Sequence, residues 1–442
     1  MISLENKNDN KSKRRKGMKK KIVSLLLCAV MTVGVLAGCG NKEGGKVEKG
    51  SEENPVEISY ACWDSGQAEL LRQVADDFEA ENKDIKIDIQ VSGWDDYWTG
   101  LEAAATGGSL PDTFWMHSNN IYYYAANDQL LDLSEYIEKS DKVSLENFPT
   151  ELGEIYSLDG KQYAIPKDYD TIALWYNKTL FDEAGIAYPD ETWTWDTMYE
   201  AAKKLTVPEK GQYGMCAGLH NQEGYYNFIY QNGGTVLTDD NKSGYADPKT
   251  IEGVEEYFKY VKEGLSPEIY DDKARAEAIQ NGQCAMGLFG SWNLASFAAN
   301  DYMKENFDCA VLPASNDGGR ASIFNGLGNA VAVNTEHPDE AWRWVEYLSS
   351  EEGQKKQAEL GVAISAYNGT SDAWTAAYPD FNTKVFIEMV DYAQIRPYTH
   401  QTSLWEDKTT ELLRDAYSGK EDVKTACEKV ANQMNEAIAA EQ

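Results

Sequence analysis

Beyond a basic and apolar leader, the chain alternates between two hydrophobic periods. Val56–Cys62 places apolar and polar residues in turn, the period of a half-buried strand. Leu70, Leu71, Val74 and Phe78 then recur at helical spacing, and Ile85, Ile87, Ile89 and Val91 return to a period of two. A helix is predicted from about Tyr97 to Ala105, stopped by Gly107-Gly108, and a short strand at Thr113–Met116 follows Pro111-Asp112. Further on, Tyr163–Pro166, Thr171–Tyr176, Ala285–Phe289 and Ala330–Val333 read as strands. Thr194 is placed to cap a helix at Trp195–Leu205, since its hydroxyl can accept from the free N–H groups of the first turn. Ala341, Trp344, Val345 and Leu348 share one helix face, and the C-terminal third is mostly helical, ending with Val423–Ala439. Strands alternating with helices predict an α/β fold with a largely parallel sheet. No repeat of 20–50 residues is present, and no Pro- or Ser-rich linker divides the body.

The N-terminus has a different character. Lys19, Lys20 and Lys21 precede an apolar run at 22–37, too short to span a bilayer comfortably but suited to the core of a signal peptide. The run ends in Leu36-Ala37-Gly38-Cys39, which resembles the bacterial lipobox and implies acylation of Cys39. Residues 1–39 are thus expected to be a lipoprotein signal peptide with its lipobox, and residues 40–54, polar and Gly-rich, a flexible tether. The expected location is the outer face of the bacterial cytoplasmic membrane, reached by lipid and not by a span.

Charge narrows the partners. Of 442 residues, 41 are Lys or Arg and 73 Asp or Glu, giving −32; without residues 1–38 the balance is −39. Such a surface repels phosphate backbones and argues against nucleic acid. Twelve Trp and 27 Tyr exceed what a core requires, so some rings are expected to line a binding surface. No two cysteines lie close enough for a CxxC motif, the four histidines (117, 220, 337 and 400) are scattered, and HExxH, GxSxG and P-loop motifs are missing. No cofactor, metal or catalytic residue is predicted. Cys62, Cys216, Cys284, Cys309 and Cys427 read as buried thiols, with one disulfide left open.

Four segments, in order, carry a family resemblance: Gly107–Ser118 (GGSLPDTFWMHS), Tyr163–Asp170 through Trp175–Lys178, Gly290-Ser291-Trp292-Asn293, and Gly326–Asn334 followed by Asp339–Trp342. They resemble the extracellular solute-binding proteins of bacterial sugar ABC transporters. The resemblance implies a two-lobed, type II periplasmic-binding-protein-like fold. Three crossings, near Asp168, Gly326 and Ile364, would join residues 55–168 plus 327–363 as lobe one to 171–325 plus 366–442 as lobe two. A mono- or oligosaccharide would be captured in the cleft by closure of the lobes and delivered to the membrane permease subunits by a monomer that performs no chemistry.

A pyranose offers an apolar C–H face to aromatic rings and a rim of hydroxyls to carboxylates, amides and Arg. On the resemblance, Trp292 and Trp405 are candidate stacking rings, and Trp63 and Asp64 follow the first strand where hydroxyls are read. Trp115, His117, Ser118 and Asn119 follow the Pro-Asp strand as further candidate ligand contacts. Asp170 and Asn325 lie at crossings, Glu223 and Tyr225 on a loop of lobe two, and Arg396 and Tyr398 near the end. Ser118 and Asn119 replace a charged pair of the family's maltose-binding member, which points away from maltose itself. The rival readings are a binder of a polyol or peptide and a secreted glycosidase; the latter needs two carboxylates roughly 5–10 Å apart, a condition that so acidic a chain meets trivially.

Overall fold

The computed structural model describes residues 50–441. The expected signal peptide, the lipobox with Cys39 and the tether up to residue 49 lie outside the described residues. The last stretch of the expected tether is not free. A Cβ on Gly50 would meet the Asp84 carbonyl oxygen at 2.1 Å, residues 51–54 form a turn, and Val56 N–H donates to that same carbonyl at 2.8 Å.

Among the described residues, two sheets carry the architecture. The first has the order Ile85–Val91, Val56–Cys62, Thr113–Met116, Gly328–Val331, Ala164–Pro166. Its first three strands are parallel. Gly328–Val331 returns from far along the chain and runs antiparallel between Thr113–Met116 and Ala164–Pro166. That insertion is the type II two-lobed arrangement. The second sheet has the order Phe307–Ala310, Ile172–Asn177, Met286–Gly290, antiparallel throughout. The expectation of a largely parallel sheet therefore fails in the second lobe. Alternating helix and strand fixes that crossovers exist, not the direction from which the chain returns.

The crossings lie side by side. Asp168–Tyr169 pairs antiparallel with Ile364–Ser365. Asp170 bridges Asn325, its N–H donating to the Asn325 carbonyl at 2.7 Å, and Lys167 N–H donates to the Leu327 carbonyl at 2.7 Å. A Cβ on Gly326 would meet the Asp168 carbonyl oxygen at 2.1 Å, so glycine permits this close approach. Two apolar cores flank the hinge. One continues behind it, where Trp175 meets Phe381 edge-on at 5.2 Å and Thr171 donates to the Phe386 carbonyl at 2.6 Å. The stretch after Ile364–Ser365 thus lies along the back of the hinge, with helix Asp372–Ala377 against Glu351–Leu360. The five body cysteines are buried free thiols, and no described helix is long and apolar enough to cross a membrane.

Candidate functional site

A cavity of about 270 Å³ opens between the lobes. Its first wall grows from strand ends of the first sheet. Trp63 and Asp64 join strand Val56–Cys62 to helix Ser65–Glu81, and Asp64 caps that helix by accepting from Gln67 N–H at 3.0 Å. Trp63 meets Trp94, Tyr97 and Trp115 edge-on, each at 5.0 Å, the arrangement favoured by the ring quadrupoles. Trp94 opens helix Trp94–Gly107, is 41% exposed, and faces the cavity. His117 follows strand Thr113–Met116. Its Nδ1 accepts from Asn119 N–H at 3.1 Å, and its Nε2 lies 3.1 Å from Asn325 Nδ2. Burial, then the charge of Arg396, holds His117 well below the usual imidazole pKa.

The opposite wall is more polar. Trp292 stands on the turn Ser291–Asn293 after strand Met286–Gly290. Its ring folds back over Gly290, where a Cβ would come within 2.0 Å of it; the Gly-Ser-Trp sequence is what this posture requires. His220 accepts Glu223 N–H on Nδ1 at 3.0 Å, so Nε2–H points toward Asp272, 3.6 Å away. Burial, then Arg275, keeps His220 neutral as well. Asp170 is raised well above the usual carboxylate range by burial and then by Asp168, and accepts from Gln222 Nε2 at 2.6 Å. Arg396 pairs with Glu406 at 2.6 Å, both buried. From the first wall, Asn119 reaches this pair, donating to Glu406 at 2.8 Å and accepting from Arg396.

The charge balance is one-sided. Asp64, Asp168 and Glu406 line the cavity against one guanidinium, Arg396, together with Asp170, Asp272 and Asp407, whose ionised forms burial disfavours, Asp170 most strongly. Lys167, beside the wall, pairs with Asp168 at 2.6 Å and sits over the Trp115 ring at 4.3 Å. With both histidines neutral, the cavity repels anions. Among the described residues no group of three or more His, Cys, Asp or Glu is placed to hold a metal ion.

A family model described as bacterial extracellular solute-binding protein matches residues 64–355. The chain belongs to this family. Among its relatives is a maltodextrin-binding protein of Bacillus subtilis, 23% identical over 445 residues, covering 95% of this chain and 98% of that one. A maltooligosaccharide ABC transporter solute-binding lipoprotein of Streptococcus pneumoniae is 24% identical, covering 95% and 97%. An ABC substrate-binding protein of Listeria monocytogenes, solved with cycloalternan, superposes with a TM-score of 0.79 at 24% identity, over 87% of this chain and all of that one.

Within this solute-binding protein, Trp63, Asp64, His117, Asn119, Asp170, Trp292 and Arg396 come together on the cavity. Other expected contacts do not reach it. Trp115 is buried beneath Trp63, its Nε1 donating to Tyr60 at 2.6 Å. Ser118 is buried beside His117, and Asn325 lies behind that ring. Tyr225 and Trp405 belong to the second core, Trp405 donating to Thr399 at 2.9 Å. Tyr398 stacks on Tyr122 at 5.9 Å, outside the wall. Glu223 is buried behind Trp292 with Arg275. For two of these the cause is helix geometry: adjacent residues on a helix point about 100° apart. Trp405 faces the core, so Glu406 faces the cleft; Glu223 faces inward, so Gln222 faces the cleft.

The wall also includes Trp94, His220, Gln222, Asp272, Glu406 and Asp407, none of them expected. The sequence signal for Trp94 is a Trp directly after Ser92-Gly93, at a strand-to-helix junction like that of Trp63.

Proposed function

We propose that this chain is the capture subunit of a bacterial sugar importer: it binds a mono- or oligosaccharide between its lobes and hands it to a membrane permease without altering it. The observation that carries the reading is the placement of aromatic rings on both sides of one cavity, Trp63 and Trp94 on one side and Trp292 on the other, with carboxylates and amides lining the same space. Rings cover the C–H faces of a sugar. Asp64, Asn119, Asp170 and Gln222 offer the polar partners its hydroxyls demand, since a buried hydroxyl left unpaired costs about 1–3 kcal/mol. The acidic wall favours an uncharged glycan over a phosphorylated or uronic one.

The named ligands of the relatives, maltodextrin and maltooligosaccharide, and the cycloalternan bound to the Listeria protein, belong to the same chemical class. Residues 55–168 plus 327–363 form one lobe and 171–325 plus 366–442 the other, with 366 to about 392 backing the hinge. The protein acts as a monomer, tethered by a lipid on Cys39.

The test is calorimetry against a panel of neutral oligosaccharides with charged analogues of each. The reading expects one neutral series to bind. Trp292→Ala should then weaken that binding by about 2–4 kcal/mol, the scale of a buried aromatic anchor. Turnover of aryl glycosides, or binding of no member of the panel, contradicts it.

A further inference from the structure

Glu223 is among the most deeply buried carboxylates of the protein, and it never touches the cavity. Its partners come from separate loops. Oε1 accepts from Gly290 N–H and, at 2.7 Å, from Asn293 Nδ2, the two ends of the turn that carries Trp292. The other oxygen faces the guanidinium of Arg275. Glu223's own N–H donates to Nδ1 of His220 at 3.0 Å. Arg275 is clamped in turn: its guanidinium lies over the Phe289 ring at 4.6 Å and donates to the Leu288 carbonyl at 3.2 Å.

We infer that Glu223 is the positioning residue of the second wall, fixing the attitude of Trp292 and the tautomer of His220 from behind without contacting ligand. The physical reason is cost. A buried carboxylate without partners is penalised, and here Gly290 N–H and Asn293 Nδ2 serve one oxygen while the Arg275 guanidinium offsets the charge at the other. That geometry folds the Trp292 ring over Gly290. The backbone N–H of the same residue occupies Nδ1 of His220 and forces Nε2–H toward the cleft. One side chain thus converts a buried ionic contact into the orientation of a stacking ring. The inference concerns the site of the proposed function, but its primary readout needs no sugar.

The experiment uses the full chain labelled with 5-fluorotryptophan, the Trp292 resonance being assigned with Trp292→Phe. In Glu223→Ala the Trp292 resonance should shift or broaden, while those of Trp374 and Trp405, buried elsewhere, stay in place. Glu223→Gln, which keeps an oxygen for Gly290 N–H, should restore most of the Trp292 signal. Asn293→Ala, a milder break on the turn itself, should reproduce the shift if Glu223→Ala does not fold. Affinity for the tightest binder among maltotriose, galactotriose and mannotriose should fall at least about tenfold in Glu223→Ala. An unmoved Trp292 resonance in a folded Glu223→Ala or Asn293→Ala overturns the inference, and so does an equal disturbance of all the tryptophans. A Trp292 shift in a protein that binds none of the three sugars supports it while counting against the sugar reading.

Discussion

The two walls of the cleft hold their tryptophans by different means. Trp63 is embedded among other rings, with Trp94, Tyr97 and Trp115 each at 5.0 Å and Trp98 at 5.8 Å. Trp292 stands on a turn shaped by a buried carboxylate and by the missing side chain of Gly290. Aromatic packing is adaptable, because dispersion contacts are many and individually small. A buried ionic network is not, because each member left alone keeps its desolvation penalty. The first wall should therefore degrade in proportion to what is removed, and the second should fail abruptly.

The largest contrast is expected at Arg396. Its replacement by Ala leaves Glu406 buried beside Tyr226 and Asn119 without its counter-charge, and should cost about 3–5 kcal/mol of stability in urea unfolding. A cost below about 1 kcal/mol would mean that the second wall tolerates loss as the first does. Trp63→Ala comes next. The ring is only partly buried, so about 2–3 kcal/mol is expected, below the range for a fully buried Trp, together with weaker sugar binding. Trp292→Ala should lower affinity with far less effect on stability, and equal stability losses in the two variants would erase the distinction.

Gly290→Ala sharpens the comparison on the polar side. The added methyl group collides with the Trp292 ring, so an overpacking cost of about 1–3 kcal/mol is expected, with near-ultraviolet circular dichroism reporting the displaced indole. An unchanged spectrum would show that the ring does not rest on Gly290.

The smallest effect concerns the rim. Asp272 is pushed up to about 6 by the protein crowded around it at the cleft mouth, where it still keeps contact with water, then by Asp271 and by Asp95 of the facing wall. Between the ordinary value of 3.8 and about 6, the folded protein keeps a proton that the unfolded chain has released. Stability therefore falls as pH rises through that window. The side chain is 71% exposed, so screening keeps the effect small. Thermal melts from pH 4 to 7 should show the decline flattened in Asp272→Asn; identical profiles would remove Asp272 as its source.

The sequence made the scaffold legible where periodicity and punctuation agree. Val56–Cys62, Thr113–Met116 and Val423–Ala439 form as their patterns predict, and Thr194 caps helix Trp195–Leu205. Trp292 is legible because Gly-Ser-Trp at a strand end has few other uses. Trp94 is not, since it falls on the first turn of a helix whose apolar spacing begins at Tyr97. Glu223 shows a different limit: its loop reaches the cleft, yet which of Gln222 and Glu223 faces the solute depends on Arg275, fifty-two positions further on. Polar partners distant in sequence leave no local pattern.

The central claim is that one solute is held by both walls at once. Asp96 and Lys273 are exposed on opposite sides of the cleft. Each can be changed to Cys and spin-labelled while the buried native thiols stay unreactive. Pulsed dipolar spectroscopy on this pair, with the best calorimetric ligand at saturation, should give a distance distribution that shortens and narrows relative to the sugar-free protein. A distribution unmoved by a sugar that calorimetry shows to be bound would contradict the account.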